Sequence, residues 1–346
     1  MNKSKVLLVY TGGTIGMIQN EESGYYKPFD FDNLLEQIPE LKKIDVEISA
    51  ISFDKPIDSS DMNPEIWEKL ADIIFENYAS YDGFVILHGS DTMSYTASAL
   101  SFILHGLNKP VILTGSQLPI GVIRTDGKEN LITAIEIAGA KINNRPIVPE
   151  VAIYFEYQLF RGNRTAKINA QGFEAFASYN YPILAKAGVH INYNQDAIKN
   201  YDEKASLTLK KGFCRDVIVL RIFPGINETI VDYLFDAPGL KAVVLHTFGS
   251  GNAPSNPAFI KVLENAAERG ILMINITQCP SGFVEQGRYQ TSRSFSNIGI
   301  ISGGDMTIET ALCKLMFLLN KGYSTAEISE LFTKNMQGEI TVISSI

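Results

Sequence analysis

Three times before residue 118 the chain runs as a short apolar stretch and then breaks at glycine beside a hydroxyl. Val6-Leu7-Leu8-Val9-Tyr10 leads into Thr11-Gly12-Gly13-Thr14-Ile15-Gly16, Phe84-Val85-Ile86-Leu87 into His88-Gly89-Ser90-Asp91-Thr92, and Val111-Ile112-Leu113 into Thr114-Gly115-Ser116-Gln117. Runs this short and this continuously apolar suit strands buried on both faces, as in the parallel sheets of α/β proteins. Helical spacing fills the intervals. Asn63-Pro64 caps a stretch with Trp67, Leu70, Ala71 and Ile74; a second carries Tyr95, Ala99, Phe102 and Ile103 as its buried stripe; a third carries Leu131, Ala134, Ile135 and Ala138. Strand and helix in alternation predict an α/β fold, and open α/β sheets hold their ligands at the carboxyl ends of the strands. The three breaks therefore predict one shared, polar, hydroxyl-rich cleft.

A chain of 346 residues is long enough for two domains. The first is expected over residues 1–190, a polar linker over 191–215, and a second α/β domain over 216–346. Strands of the second are expected at 217–222, 242–246, 272–276 and 298–301. Its helices are expected at 257–269 and 305–320, with Ser324 and Glu327 making a capping box for the last one.

A net charge of -8, with no polybasic run, excludes nucleic acid as the expected partner. Cys214, Cys279 and Cys313 are scattered without CxxC spacing, which gives neither a zinc site nor a disulfide framework and points to a reducing compartment. No metal or other cofactor is expected. No apolar stretch approaches the roughly 20 residues of a membrane span, and the amino terminus lacks a signal-peptide core. The expected location is the cytoplasm, with no membrane partner.

The first break carries the chemistry. Its GGxxG pattern lacks the middle glycine of the dinucleotide fingerprint and the closing Gly-Lys-Ser/Thr of a phosphate loop. A nucleophile loop fits better, because the β-branch of threonine restricts χ1 and aims the hydroxyl before substrate arrives. Residues 21–32 form a polar and aromatic segment able to fold over this loop, with Tyr25 as its chemical group. Asp58-Ser59-Ser60-Asp61 offers more small polar residues than one helix cap requires. Asp91, at the amino end of a helix, stays ionised and can hold a substrate ammonium. Lys167, in Arg161-Gly162-Asn163-Arg164-Thr165-Ala166-Lys167, can act as a base if brought into a dry cleft.

Together, TGGTIG, DSSD, HGSDT and RGNRTAK resemble the bacterial-type L-asparaginases over essentially the whole chain, and DSSDM with GGDMT is similar to their cytoplasmic type I branch. The resemblance implies an asparaginase-like fold of two α/β domains, the larger amino-terminal one an open, mostly parallel sheet flanked by helices. It implies a homotetramer built as a dimer of dimers, and hydrolysis of L-asparagine to L-aspartate and ammonia through a threonine nucleophile and a covalent acyl-enzyme. By the same resemblance Thr14 is the nucleophile, Tyr25 the lid tyrosine, and Ser90, Asp91 and Lys167 the second catalytic group. Ser90 stands where the family has threonine; the hydroxyl is kept and the methyl lost, which bears on rate more than on reaction type. Asp58, Ser59 and Ser60 match the substrate-binding cluster, and Asn252 resembles an asparagine lent by a neighbouring subunit.

Two other classes compete. A Ser-His-Asp hydrolase would use Ser90 with one of the histidines, but no GxSxG elbow exists and His88 fits a packing role. An amino-acid sensor on the same scaffold would carry the same binding residues and release no ammonia.

Overall fold

The computed structural model describes residues 3–19, 26–28, 38–286 and 290–342. The chain divides into two compact units, Met1–Lys210 and Lys211–Ile346.

The first unit is built on an eight-stranded sheet. Its strands in chain order are β1 (Ser4–Tyr10), β2 (Val46–Ser52), β3 (Gly83–Leu87), β4 (Val111–Thr114), β5 (Val151–Phe155), β6 (Gln158–Arg161), β7 (Ala185–Lys186) and β8 (Asn192–Tyr193). In space the order is β8-β7-β6-β5-β4-β3-β1-β2, parallel from β5 to β2 and antiparallel from β5 to β8. Every residue of β3, β4 and β5 is buried, which is why these strands are apolar throughout instead of alternating. Tyr10 pairs with Leu87 and Leu87 with Thr114, so the three breaks leave the sheet at one level.

Helix α1 (Pro64–Asn77) starts where the Asn63 side chain accepts from the Ile66 N–H, with proline at its first position. Helix α2 (Met93–Ile103) buries all of its residues but Tyr95, so the expected one-sided stripe is replaced by a helix enclosed nearly all round. Helix α3 (Gly127–Gly139) packs Leu131, Ala134, Ile135 and Ala138 into one core with Val6, Leu8, Val85, Leu87 and Ile112.

The stretch expected as a linker is largely part of the first unit. Asn192–Tyr193 forms the edge strand β8, Ala197 and Ile198 are buried, and Thr208–Leu209 pairs antiparallel with Leu104–His105. Its side chains are largely polar, while its backbone is paired into the first unit at both ends.

In the second unit, β9 (Val217–Arg221), β10 (Ala242–Thr247), β11 (Leu272–Thr277) and β12 (Ile301–Ser302) form a parallel sheet in sequence order. Its helices are α4 (Glu228–Phe235), α5 (Pro257–Glu268), α6 (Gln290–Ile298), α7 (Ile308–Leu319) and α8 (Thr325–Thr333), the last with the expected capping box. The strand expected from 298 begins only at Ile301, because Ile298 closes α6 and Gly299 follows with φ +87°. A fully buried Lys314 donates to the carbonyls of Phe332 and Lys334 and to the Glu339 carboxylate, tying the carboxyl-terminal segment to α7. Among the described residues no helix is long and apolar enough to cross a membrane.

Candidate active site

At the end of β1 the two threonines of the glycine loop part company. Thr11 is buried and its hydroxyl donates to the Leu87 carbonyl at 2.9 Å, stitching β1 to β3. Thr14, in the 3-10 turn Thr14–Gly16, is exposed. The turn is braced from beneath by Tyr10, whose hydroxyl donates to the Gly16 carbonyl at 3.1 Å. Between the threonines, Gly12 and Gly13 adopt φ of +137° and +88°, a region that side-chain-bearing residues avoid. A Cβ on Gly13 would also stand 2.5 Å from the Gly89 nitrogen, so the first and second loops touch backbone to backbone.

The second loop forms the 3-10 turn Ser90–Thr92 and runs straight into α2. Lys167, on a two-residue strand (Ala166–Lys167) paired with Phe176–Ala177, reaches this turn from the far side. Its ammonium donates to the Ser90 hydroxyl at 2.8 Å and to the Asp91 carboxylate at 2.6 Å. The Lys167 side chain is largely covered while Asp91 is open to solvent, so the pair orients more than it stabilises.

Asp58 precedes a third turn, Ser59–Asp61. The N–H and the hydroxyl of Ser60 both donate to its carboxylate, at 2.9 and 2.8 Å, and these bonds hold Asp58 below the usual carboxylate range. Ser59 is buried, and its carbonyl accepts from the Thr92 hydroxyl at 2.6 Å, locking this turn to the second loop.

These loops enclose a cavity of about 630 Å³ whose lining includes Thr14, Asp58, Ser59, Ser90 and Asp91. Lys167 stands behind Ser90 and Asp91, and Ser60 acts by orienting Asp58. Tyr25 lies outside the described residues. Asn252 belongs to the second unit, in a bridge with Phe248.

The third loop departs from expectation. The Ser116 hydroxyl folds back onto the Leu118 carbonyl and the Thr114 hydroxyl onto that of Tyr154, so neither supplies the cavity. What it supplies is a wall, Gln117-Leu118-Pro119, facing Met17, Pro56 and Ile57. Buried Asp126 holds that wall by accepting from the N–H groups of Gln117 and Leu118. The third break in the sequence includes Gln117 but singles out neither Leu118 nor Pro119.

His88 is fully buried, and burial pushes its pKa down to about 4. The unfolded imidazole titrates near 6.5, so it takes up the proton first as pH falls, and the stability held above about pH 6.5 drains away toward pH 4. The expected loss by pH 4 is about 3 kcal/mol from this residue. Denaturant unfolding at pH 7, 5.5 and 4.5 checks it. A His88→Asn variant should show a shallower slope over that interval; identical slopes would contradict the assignment.

Among the described residues no cluster of three or more histidine, cysteine or acidic side chains is placed to hold a metal ion. The site is therefore a hydroxyl, a second hydroxyl beside a lysine, and two carboxylates around an open cavity.

Residues 5–199 match the family described as "Asparaginase, N-terminal" and residues 216–332 the "Glutaminase/Asparaginase C-terminal domain". The chain is 43% identical over 343 residues to L-asparaginase 1 of Escherichia coli K12, covering 99% of each protein. Its fold is similar to the crystal structure of L-asparaginase I from Vibrio cholerae, with a TM-score of 0.88 and 38% identity over 98% of this chain and 100% of that one. The thermostable L-asparaginase from Thermococcus kodakarensis gives a TM-score of 0.89 at 31% identity, with the same coverage. With both domains matched in order and relatives aligned end to end, the chain belongs to the asparaginase family.

Proposed function

We propose that the protein hydrolyses the side-chain amide of L-asparagine to L-aspartate and ammonia through a covalent acyl-enzyme on Thr14. The observation that carries this reading is the exposed Thr14 hydroxyl lining the same cavity as Ser90 and Asp91, with Lys167 bonded to both. The names of the relatives support the substrate.

An amide is a poor electrophile, so its cleavage needs a nucleophile, a route for the nucleophile's proton, and donors for the oxyanion. Thr14 Oγ1 attacks the amide carbon and its proton passes toward the leaving nitrogen; the C–N bond then breaks and ammonia departs, leaving an ester on Thr14. Water cleaves that ester and restores the hydroxyl. Lys167, acting through Ser90, carries the proton, and Tyr25 is the second candidate for this role. Backbone N–H groups and the Ser90 hydroxyl stabilise the oxyanion. The substrate ammonium is met by Asp91 and Asp58, and its carboxylate by Ser59, with Ser60 fixing Asp58. Each step is proton transfer or acyl transfer, which these groups perform without a cofactor. Asn252 is assigned to the site of a neighbouring subunit within a homotetramer, a dimer of dimers, and the location is assigned to the cytoplasm on the scattered spacing of the 3 cysteines, which suits a reducing compartment.

Incubation with L-asparagine should release ammonia and L-aspartate in equal amounts. Saturable binding of asparagine with no ammonia would replace this reading with the sensor.

A further inference from the structure

We propose that His88 is a positioning residue for this site, holding the His88-Gly89 backbone on which the other loops close and thereby setting where the Ser90 hydroxyl stands. The proposal rests on the amide-hydrolysis reading for its kinetic consequence.

His88 touches no part of the cavity, yet its ring is fully bonded. Nδ1 lies 2.6 Å from the Gly89 carbonyl oxygen and Nε2 lies 2.8 Å from the Thr96 hydroxyl, which also accepts from Trp67 Nε1 at 3.1 Å. A carbonyl only accepts, so Nδ1 carries the proton. Full burial disfavours the imidazolium, so Nε2 accepts from the Thr96 hydroxyl, leaving the Thr96 oxygen to accept from the Trp67 indole. With the ring neutral, the Nδ1–H tautomer satisfies both imidazole nitrogens.

The Gly89 carbonyl and the Ser90 N–H belong to one planar peptide unit, so the imidazole that fixes the first also fixes the second. The same short segment is the surface on which every other loop rests. A Cβ on Gly13 would stand 2.6 Å from Gly89 Cα, one on Gly89 would stand 2.6 Å from Ser59 Oγ, and one on Gly115 would overlap the His88 carbonyl oxygen. The His88 N–H donates to the Thr114 carbonyl at 2.9 Å. The loops carrying Thr14, Ser59 and Gln117 thus have their positions referred to this peptide, and α2 anchors it through Thr96. A displacement on the order of 1 Å at such a point costs about a hundredfold in rate.

Two measurements test the proposal. Nitrogen-15 histidine NMR of the wild type at pH 7, with the His88 signal assigned by its loss in His88→Asn, should show a neutral ring protonated on Nδ1. An imidazolium or an Nε2–H tautomer would overturn it. The second measurement is kcat and KM for asparagine, with thermal midpoints, in His88→Asn and His88→Leu. Both variants lose the ring and should lose a similar amount of thermal stability. The asparagine side-chain amide can still donate to the Gly89 carbonyl, so His88→Asn should keep kcat within about tenfold of wild type. His88→Leu should fall by about a hundredfold or more, with KM within about fivefold. Equal loss of kcat in both, or a loss that tracks the thermal midpoint, would reduce His88 to a packing residue. If His88→Leu does not fold, the tautomer still decides. If the wild type releases no ammonia from asparagine, the functional reading fails and the tautomer alone judges the Gly89 bond.

Discussion

Thr14→Ala is expected to lower ammonia release from asparagine by about four orders of magnitude or more, because nucleophilic groups that act as a unit with their proton carriers leave little activity when removed. Folding should hardly notice. Thr14 is exposed and its turn is held by Tyr10, Gly12 and Gly13, so the change in stability should stay within about 0.5 kcal/mol. Thr14→Ser separates attack from aim. Serine keeps the hydroxyl but frees χ1, and should retain activity at roughly a tenth to a hundredth of wild type. The measurement is a single-turnover and steady-state comparison of the three proteins with matched thermal midpoints. Activity in Thr14→Ala within tenfold of wild type would move the nucleophile to Ser90, the cavity hydroxyl bonded to Lys167.

Lys167 poses the second large effect. Its ammonium bridges the Ser90 hydroxyl and the Asp91 carboxylate. A proton carrier must lose its proton at least transiently, and a guanidinium with a pKa above about 12 does not. It is also wider and planar, and would crowd a side chain that is mostly covered. If Lys167 relays the proton, Lys167→Arg should lose well over a hundredfold in kcat, close to Lys167→Met, while KM moves little. If it serves only to hold Asp91 electrostatically, arginine should cost less than about tenfold, or roughly 1.4 kcal/mol of barrier. Measuring kcat and KM for both variants across pH decides between them. Near-normal kcat in the arginine variant with a dead methionine variant would retire the relay.

The site was legible wherever a special backbone requirement left a mark in the residue types. Gly12 and Gly13 announce a loop that needs positive φ and close approach, and a hydroxyl beside them announces chemistry. Which hydroxyl faces the cavity left no mark. Thr11 and Thr14 flank the same glycines, yet one bonds the neighbouring strand and the other lines the cavity; Ser116 repeats the pattern of Ser90 and turns away. Leu118 and Pro119 of the wall escaped notice because an apolar cavity lining looks like any loop with a leucine. The misplaced linker has a related cause. Composition reports side chains, whereas residues 192–209 are held by backbone pairing at Asn192–Tyr193 and Thr208–Leu209. Tyr95 and Ile298 were misjudged for want of a neighbour: helical spacing does not reveal a helix enclosed on every side, nor where a helix gives way to a strand.

The parallel half of the large sheet, described above as what aligns the loops, also governs how the protein comes to exist. Between β2 and β5 no two adjacent strands are joined by a hairpin. Val6 must find both Val46 and Gly83, and Phe84 must find Val111, before any of these pairings is secured. Loop-closure entropy comes ahead of the reward in such a topology, so folding is slow and apolar runs such as Phe84-Val85-Ile86-Leu87 stay available to other chains meanwhile. Refolding at low protein concentration should therefore return more activity than refolding at high concentration. Since Thr14, Asp58 and Ser90 follow the ends of three neighbouring strands, catalytic competence arrives only when the last of those pairings closes.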